Sequence, residues 1–229
     1  MEKMIKEMFE LQEELNDNVN GKFWKKGITK TNQEINWMRC VRFEMIEAID
    51  QSFQWKHWKN NKVNNQYDII DLHNLKIEFV DTYHFLMSEL LKYDKFKNNI
   101  LNLNIKKIIP FKFENSKDLV LKIEDFIDKV RLYEKNNYSI IDLYINFWNI
   151  TLSIMSISEF YNLYISKNVL NLFRLRNGYQ EGTYIKNWGN EKIEDNVFLE
   201  KYLNNNKNID FKKIYDYLNN QYKKLNKTQ

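Results

Sequence analysis

Glycine and proline are scarce in this chain, and their scarcity restricts the possible folds more than any other feature. Five glycines and one proline occur in 229 residues, which is too few to punctuate the turns of a many-stranded sheet. Apolar residues recur with a spacing near 3.6 along almost the whole sequence, and this is the period of the α-helix. The sequence therefore predicts an all-α fold, with a four-helix core and additional helices from the C-terminal half.

The apolar spacing and the turn signals also predict where the helices lie. The predicted helices cover residues 2–18, 31–53, 66–94, 115–135, 138–177, 194–203 and 209–225. No linker rich in glycine, serine or proline separates these segments. We therefore expect residues 1–229 to form a single domain.

Composition and charge argue against several classes of protein. Hydrophobic residues make up 43% of the chain, which is too much for a disordered protein. The net charge of +4 arises from 35 basic and 31 acidic residues, so we expect no nucleic-acid partner. Cys40 is the only cysteine, which fits a reducing compartment, and no stretch of ~20 apolar residues indicates a membrane span. These features predict a soluble, cytoplasmic protein.

Two acidic pairs, Glu44 with Glu47 and Glu78 with Asp81, are the strongest candidates for chemistry. In each pair the carboxylates are three residues apart within a predicted helix, which places them on one face and about one turn apart. If the two helices lie side by side, four carboxylates converge. Two carboxylates ~4 Å apart repel by about 4 kcal/mol at an effective dielectric near 20. Because oxygen-only ligands favour Mg²⁺ or Mn²⁺, the pairs predict a hard-metal site.

The acidic pairs are also compatible with roles that involve no hard metal. Arg39 and Arg42 lie about one turn before the first pair, so the acids could belong to a structural salt-bridge cluster in a non-catalytic helical binding module. Asp81 and His84 form a carboxylate-x-x-His step that resembles half of a di-iron bundle motif. The second Glu-x-x-His step of that motif is missing, so His84 fits better as a core histidine or as support for a neighbouring ligand.

A second candidate region, residues 171–196, combines glycines, aromatic residues and positive charge. Gly178, Gly182 and Gly189 fall within twelve residues of a chain that has five glycines. Such a concentration indicates unusual backbone conformations or the close approach of a ligand. The arginine, lysine and tyrosine side chains around these glycines are the donors that a polyphosphate needs.

Two further features suit a nucleoside. Gln12 and Asn16 place two amide side chains one helical turn apart, and amides can pair with the donor and acceptor edge of a pyrimidine. Trp55 and Trp58 bracket lysine residues between the acidic pairs and could either stack on a base or anchor the core.

These elements occur in the order seen in the dimeric dUTPases, which belong to the all-α NTP pyrophosphohydrolases. The resemblance covers about residue 11 to about residue 200. It rests on Gln12…Asn16, Glu44-x-x-Glu47, Glu78-x-x-Asp81 followed by His84-Phe85, and Asn171-x-x-Arg174…Gly178-Tyr179…Gly182…Tyr184…Lys186…Trp188…Glu194-Asp195-Asn196. Leu175 departs from the pattern, because glutamine is expected after Phe173-Arg174. The departure implies one fewer polar contact near the substrate.

The resemblance implies a homodimer that hydrolyses dUTP, and plausibly dUDP, to dUMP with attack at the β-phosphorus. It implies that Glu44, Glu47, Glu78 and Asp81 hold two or more Mg²⁺ ions, for which Mn²⁺ could substitute. Glu47 or Glu44 would activate the water, and we favour Glu47. The implied substrate contacts are Gln12, Asn16, Trp58, Phe85, Asn171, Arg174, Tyr179, Lys186 and Asn196. Hydrolysis of another nucleotide, such as dCTP, on the same scaffold stays open.

Overall fold

The structure is a computed structural model that describes residues 1–52, 71–93, 107–189, 191–206 and 209–225. The described helices are α1 (Glu2–Asn20), α2 (Trp37–Asp50), α3 (Leu72–Leu91), α4 (Ser116–Glu134), α5 (Ile140–Ile154), α6 (Ile157–Arg176), α7 (Asp195–Asn205) and α8 (Phe211–Leu225). Two short antiparallel strands, β1 (Asn187–Trp188) and β2 (Ile193–Glu194), precede α7. The prediction of an all-α fold is confirmed.

The chain divides into two compact units, Met1–Phe160 and Tyr161–Gln229, and the boundary between them lies within α6. Each unit has a core of its own. That the whole chain forms a single domain stays a prediction.

Side-chain caps explain why several helices begin where they do. The Asn36 side chain accepts a hydrogen bond from the Arg39 amide at 2.7 Å at the start of α2. Asp71 accepts from the Asn74 amide at 3.1 Å at the start of α3. Asn115 and Ser139 cap α4 and α5 in the same way. Each cap satisfies a backbone amide that has no partner within the helix, and such a cap typically stabilises by about 1 kcal/mol.

The predicted single helix over 138–177 is wrong, because the chain breaks between α5 and α6. Met155 adopts an extended conformation at the end of α5. The Ser156 side chain then accepts a hydrogen bond from the Glu159 amide at 3.1 Å, which starts a new helix. The sequence contains the signal for this break, since Ser-x-x-Glu is the pattern of a capping box.

The predicted helix over 31–53 also begins too early. A bridge between Ile28 and Glu34 and a left-handed residue, Asn32 with φ of 62°, occupy the segment before α2. Asparagine tolerates this conformation better than most residues do. Residues 31–36 of the predicted helix are therefore a loop, and α2 begins only at Trp37.

The helices of the first unit pack around α3. Helices α1, α2 and α5 contact α3, and α4 contacts α2 and α5. The core is aromatic: Tyr83 stacks on Phe147 with ring centroids 5.4 Å apart, and Trp148 meets Phe160 edge-on at 4.9 Å. All four rings are fully buried, and each burial contributes about 1.5–3 kcal/mol. This core fixes the position of α3, which carries the predicted site residues Glu78, Asp81 and Phe85.

The second unit has its own aromatic core. Phe173 of α6 packs edge-on against Trp188 of β1 and Tyr222 of α8, with centroids 5.9 Å and 5.6 Å apart. The turn after α6 requires glycine at position 178, where φ is +88° and an added Cβ would lie 2.0 Å from Thr183 Oγ1. The predicted backbone role of this glycine is confirmed by its geometry.

Within the described ranges, no single helix is long and apolar enough to cross a membrane, although the bent pair of α5 and α6 reaches that length and composition jointly.

Candidate active site

The first acidic pair and the first residue of the second pair come together between α2 and α3. Glu44, Glu47 and Glu78 each place one carboxylate oxygen within 4.8 Å of the other two. Glu47 is exposed, whereas Glu44 and Glu78 are half-buried. We call these three residues the carboxylate cluster. Because like charges at this spacing repel and oxygen is the ligand that hard cations prefer, the cluster fits a divalent cation.

Asp81, the fourth predicted ligand, lies one turn after Glu78 on α3 and is half-buried. Among the described residues, the group within 4.8 Å contains the three glutamates and not Asp81. Its predicted role as a ligand stays a prediction.

The surroundings of the cluster bear on the possibility of a structural salt-bridge cluster. Arg42 donates from Nη1 to Glu134 of α4 and so forms its ion pair away from the first acidic pair. Burial, and then the negative charge of Glu44, raise the pKa of the Cys40 thiol above its usual range. The cysteine one turn before Glu44 therefore lies in a negative field, which opposes thiolate formation and favours a cation.

A buried polar cluster joins α1 to α3. The Gln12 amide nitrogen lies 3.0 Å from Ser88 Oγ and 3.2 Å from Asn16 Oδ1, and the Asn16 amide nitrogen lies 2.9 Å from Ser88 Oγ. His84 Nδ1 lies 2.6 Å from Gln12 Oε1. All four side chains are at most 5% exposed. We call these residues the amide network.

The amide network brings together the two amides that the sequence singled out, and it adds a residue that sequence reasoning missed. Ser88 receives hydrogen bonds from both amides. Ser88 follows Glu78, Asp81 and Phe85 along α3 at roughly helical spacing. Its position on the same side of the helix was therefore the signal in the sequence. A serine on a helix is too common for that signal to be selective.

Two aromatic rings lie near these clusters in the first unit. Phe85 of α3, predicted to face the base, is half-buried and stacks with Trp37 of α2 at a centroid distance of 6.1 Å and an interplanar angle of 27°. Sequence reasoning missed Trp37, which is the first residue of α2. Trp58 lies outside the described residues.

In the second unit, Arg174 is bound by a buried acid. Its Nε and Nη2 donate to the two oxygens of Asp195 at 2.8 Å and 2.7 Å, and Asp195 is fully buried. The Tyr184 hydroxyl donates to the same carboxylate at 2.8 Å. Burial alone would lower the pKa of Arg174, but its hydrogen bonds to Asp195 and the charge of Asp195 raise it above the ordinary value. Arg174 is therefore a fixed cation.

The other predicted phosphate contacts lie around this ion pair. Tyr179 is exposed and its ring lies 6.0 Å from the Arg174 guanidinium. Asn196 Oδ1 accepts from Arg174 Nη2 at 3.4 Å. Lys186 is exposed, and its Nζ lies 3.4 Å from Glu194 Oε1. Asn171, which is predicted to lie near the base instead, is half-buried on α6 about one turn before Arg174.

Sequence reasoning included Asp195 and Tyr184 in a motif without giving them a role. The one signal in the sequence is that the same segment contains both a carboxylate and an arginine, and that signal does not say which groups pair. Burial and geometry show what the two residues do: Tyr184 donates to Asp195, and Asp195 holds Arg174.

A dUTPase family model matches residues 4–179, a range that contains the carboxylate cluster, the amide network and Arg174. The chain belongs to the all-α dUTPase family. No curated protein matches the chain. As a dUTPase the protein hydrolyses dUTP, with dUTP diphosphatase activity, and this decides against the non-catalytic binding module. dUTPases generally use a divalent metal. The family match ends before Lys186 and Asn196.

Proposed function

We propose that this dUTPase is Mg²⁺-dependent and converts dUTP to dUMP and pyrophosphate. The observation that carries the proposal is the approach of three carboxylates from α2 and α3 to within 4.8 Å of one another. Glu44, Glu47 and Glu78 would hold the cations together with Asp81, which lies one turn after Glu78 on α3. Bound Mg²⁺, or Mn²⁺ in its place, neutralises polyphosphate charge and activates water for attack.

The glutamates divide two tasks between them. Glu47 is the most exposed of the three, so it can reach a water molecule and accept its proton. Glu44, which is half-buried on α2, would serve as a metal ligand. The water oxygen bonds to the β-phosphorus, and the bond from the β-phosphorus to the oxygen bridging it to the α-phosphorus breaks. The leaving group is dUMP, and the same attack on dUDP yields dUMP and phosphate.

Arg174, Tyr179 and Lys186 form the proposed polyphosphate contacts, with Asn196 assisting, and Asn171 would lie near the base. The support for Arg174 is its bond pattern. Asp195 occupies Nε and Nη2, and among the described residues Nη1 has no hydrogen-bond partner. That outer edge can therefore bind a phosphate while Asp195 fixes the guanidinium plane.

The amide network supports a base-reading role for Gln12 and Asn16. Trp58 or Phe85 would lie against the uracil ring. A site built to hydrogen-bond one base rejects another strongly when buried donors or acceptors are left unpaired. We also propose, from the resemblance to dimeric dUTPases and the single cysteine, that the enzyme acts as a homodimer in the cytoplasm.

A nucleotide panel tests the reaction. Release of pyrophosphate or phosphate from dUTP, dUDP, dCTP, dTTP and UTP is measured with Mg²⁺, with Mn²⁺ and with EDTA. We expect metal-dependent turnover of dUTP and dUDP alone. Faster turnover of dCTP would show that the same scaffold acts on a different nucleotide. Leu175→Gln would then be the first variant to test.

Hydrolysis of dUTP in ¹⁸O-labelled water tests the point of attack. Attack at the β-phosphorus places the label in pyrophosphate, and in phosphate when dUDP is the substrate. Label in dUMP instead would show attack at the α-phosphorus and would overturn that part of the proposal.

A further inference from the structure

We propose that Ser88 determines base specificity by fixing the amide orientations of Gln12 and Asn16, with His84 completing the arrangement. The inference rests on the proposed base-reading role of those amides and goes beyond it, because Ser88 would act through them as a positioning residue. Ser88 is fully buried and lies between both amide nitrogens.

The hydrogen-bond pattern of Ser88 has only one consistent assignment. Ser88 Oγ lies 2.7 Å from the backbone carbonyl oxygen of His84. A carbonyl can only accept, so the single hydroxyl proton is donated there. Toward Gln12 and Asn16, at 3.0 Å and 2.9 Å, Ser88 Oγ can therefore only accept. The atoms that face it must be the NH₂ groups of the two amides.

This assignment propagates through the network. Once the Gln12 nitrogen faces Ser88, its second N–H donates to Asn16 Oδ1 at 3.2 Å, and its oxygen faces His84 Nδ1 at 2.6 Å. Nδ1 must then carry a proton, because the amide oxygen can only accept. One hydroxyl group thus fixes two amides and the protonation of one ring nitrogen.

A fixed amide distinguishes uracil from cytosine. Within the described residues Asn16 uses one N–H and one lone pair in the network, so one N–H and one lone pair remain for a ligand. Uracil presents an N3–H donor beside the O4 acceptor, whereas cytosine presents an N3 acceptor beside its N4 amine donor. An amide free to rotate by 180° could pair with either base. An amide held by Ser88 presents its donor and acceptor in one order only.

The chain offers a matched control for Ser88. Ser166 of α6 is also fully buried and donates to the carbonyl four residues earlier, that of Asn162, at 2.8 Å. It makes the same helix back-bond as Ser88 without an amide partner among the described residues. Ser166→Ala therefore reports the cost of losing a buried back-bonded hydroxyl, separately from any effect on Gln12 or Asn16.

The experiment measures kcat and KM for dUTP and dCTP with Mg²⁺, and calorimetric binding of dUMP and dCMP, on the full-length enzyme. In Ser88→Ala we expect the preference for uracil over cytosine to fall by about ten- to a hundredfold, mainly through KM and product affinity. Ser166→Ala should keep the wild-type preference. A wild-type preference in folded Ser88→Ala would overturn the inference.

A second pair of variants separates the hydroxyl from the shape of the side chain. Ser88→Thr and Ser88→Val give side chains of nearly the same shape, in which valine has a methyl group where threonine has a hydroxyl group. We expect the threonine variant to be at least about tenfold more selective for uracil than the valine variant. Equal selectivity would overturn the inference even if both variants lose stability.

Asn16→Ala distinguishes failure of this inference from failure of the proposed function. Unchanged dUTP turnover and dUMP binding in Asn16→Ala would contradict the proposed base-reading role, and the proposed role of Ser88 would fall with it. Lost selectivity in Asn16→Ala together with wild-type selectivity in Ser88→Ala would support the base-reading role and contradict only the role of Ser88.

Discussion

The carboxylate cluster and the amide network share helix α3 but differ in how their charges and hydrogen bonds are arranged. Glu78 brings a third negative charge to within 4.8 Å of Glu44 and Glu47, and carboxylates cannot satisfy one another. About two and three turns further along α3, His84 and Ser88 give the amides of Gln12 and Asn16 donors and acceptors in matching positions. The first arrangement favours a cation, whereas the second already pairs its amides within the protein and keeps one N–H and one lone pair of Asn16 for a ligand.

This difference separates two kinds of substrate recognition. A cluster of like charges gains stability when a cation binds, so its energy changes most on binding. A neutral network whose bonds are already made changes little on binding, and its value lies in presenting a fixed order of donors and acceptors. Substitutions and changes of condition that act on one arrangement and not on the other test this difference, and the largest effect is expected at the carboxylates.

Glu47→Gln should reduce dUTP turnover by about 10²–10⁴-fold, because it removes the proposed proton acceptor and a metal ligand. The free energy of unfolding should stay equal or rise slightly, since one of three neighbouring negative charges is lost. Pyrophosphate release and urea unfolding measure the two quantities. Glu124→Gln, at an exposed position on α4, serves as the control. Normal turnover in Glu47→Gln would contradict the cluster's role.

Asp195→Asn tests a third arrangement, a buried pair of opposite charges. The substitution leaves the Arg174 guanidinium, 14% exposed, without its carboxylate. We expect the free energy of unfolding to fall by about 3 kcal/mol, because breaking a buried pair leaves a charge uncompensated. Glu194→Gln, which removes an ion pair that is about half exposed, should cost under about 1 kcal/mol. Equal small losses would show that the Arg174–Asp195 pair contributes no more than a surface pair.

Mg²⁺ should stabilise the free enzyme through the carboxylate cluster alone. At a free concentration tenfold above its Kd, we expect about 1.4 kcal/mol of added unfolding free energy, reversed by EDTA. The gain should disappear in the double variant Glu47→Gln with Glu78→Gln and persist in Ser88→Ala. Thermal unfolding without nucleotide measures it. An equal gain in the wild type, the double variant and Ser88→Ala would show that Mg²⁺ binds outside the carboxylate cluster.

Alkaline pH should lower the free energy of unfolding, because the buried tyrosine hydroxyls packed on α3 cannot ionise in the native state. Burial raises the pKa of Tyr144 to about 12, and its hydroxyl lies 3.0 Å from that of Tyr83. Above pH 10 the unfolded chain loses the phenol proton while the native state keeps it, so stability falls as the pH rises toward 12. At pH 11, relative to pH 9, Tyr144→Phe should lose about 1 kcal/mol less than wild type in urea unfolding. Parallel losses would contradict this prediction.

The acidic pairs and the paired amides could be predicted because each depends on local spacing. Residues three or four apart on a helix face the same way whatever the helix packs against. The same reasoning failed at Ser156, where a local cap overrides the apolar period and divides a predicted helix into α5 and α6. That error could have been avoided, since Ser-x-x-Glu is visible in the sequence.

Other features depended on contacts between distant segments. Asp81 matches the predicted spacing, yet it is not among the described carboxylates that meet within 4.8 Å. Asp195 lies 21 residues from Arg174, and no helical period relates the two positions. Such pairings are set by how elements pack, and periodicity along one element carries no information about them.

An all-α chain with carboxylates on two helix faces and paired amides on a third can be predicted from the sequence, because helical periodicity is a property of neighbouring residues. The packing of the elements is what brings Glu78 to the first acidic pair, Ser88 between the two amides and Asp195 to Arg174. Ser88 illustrates the reason: its 72-residue separation from Asn16 is closed by the packing of α1 on α3. Contacts of that kind follow from the shape of a core.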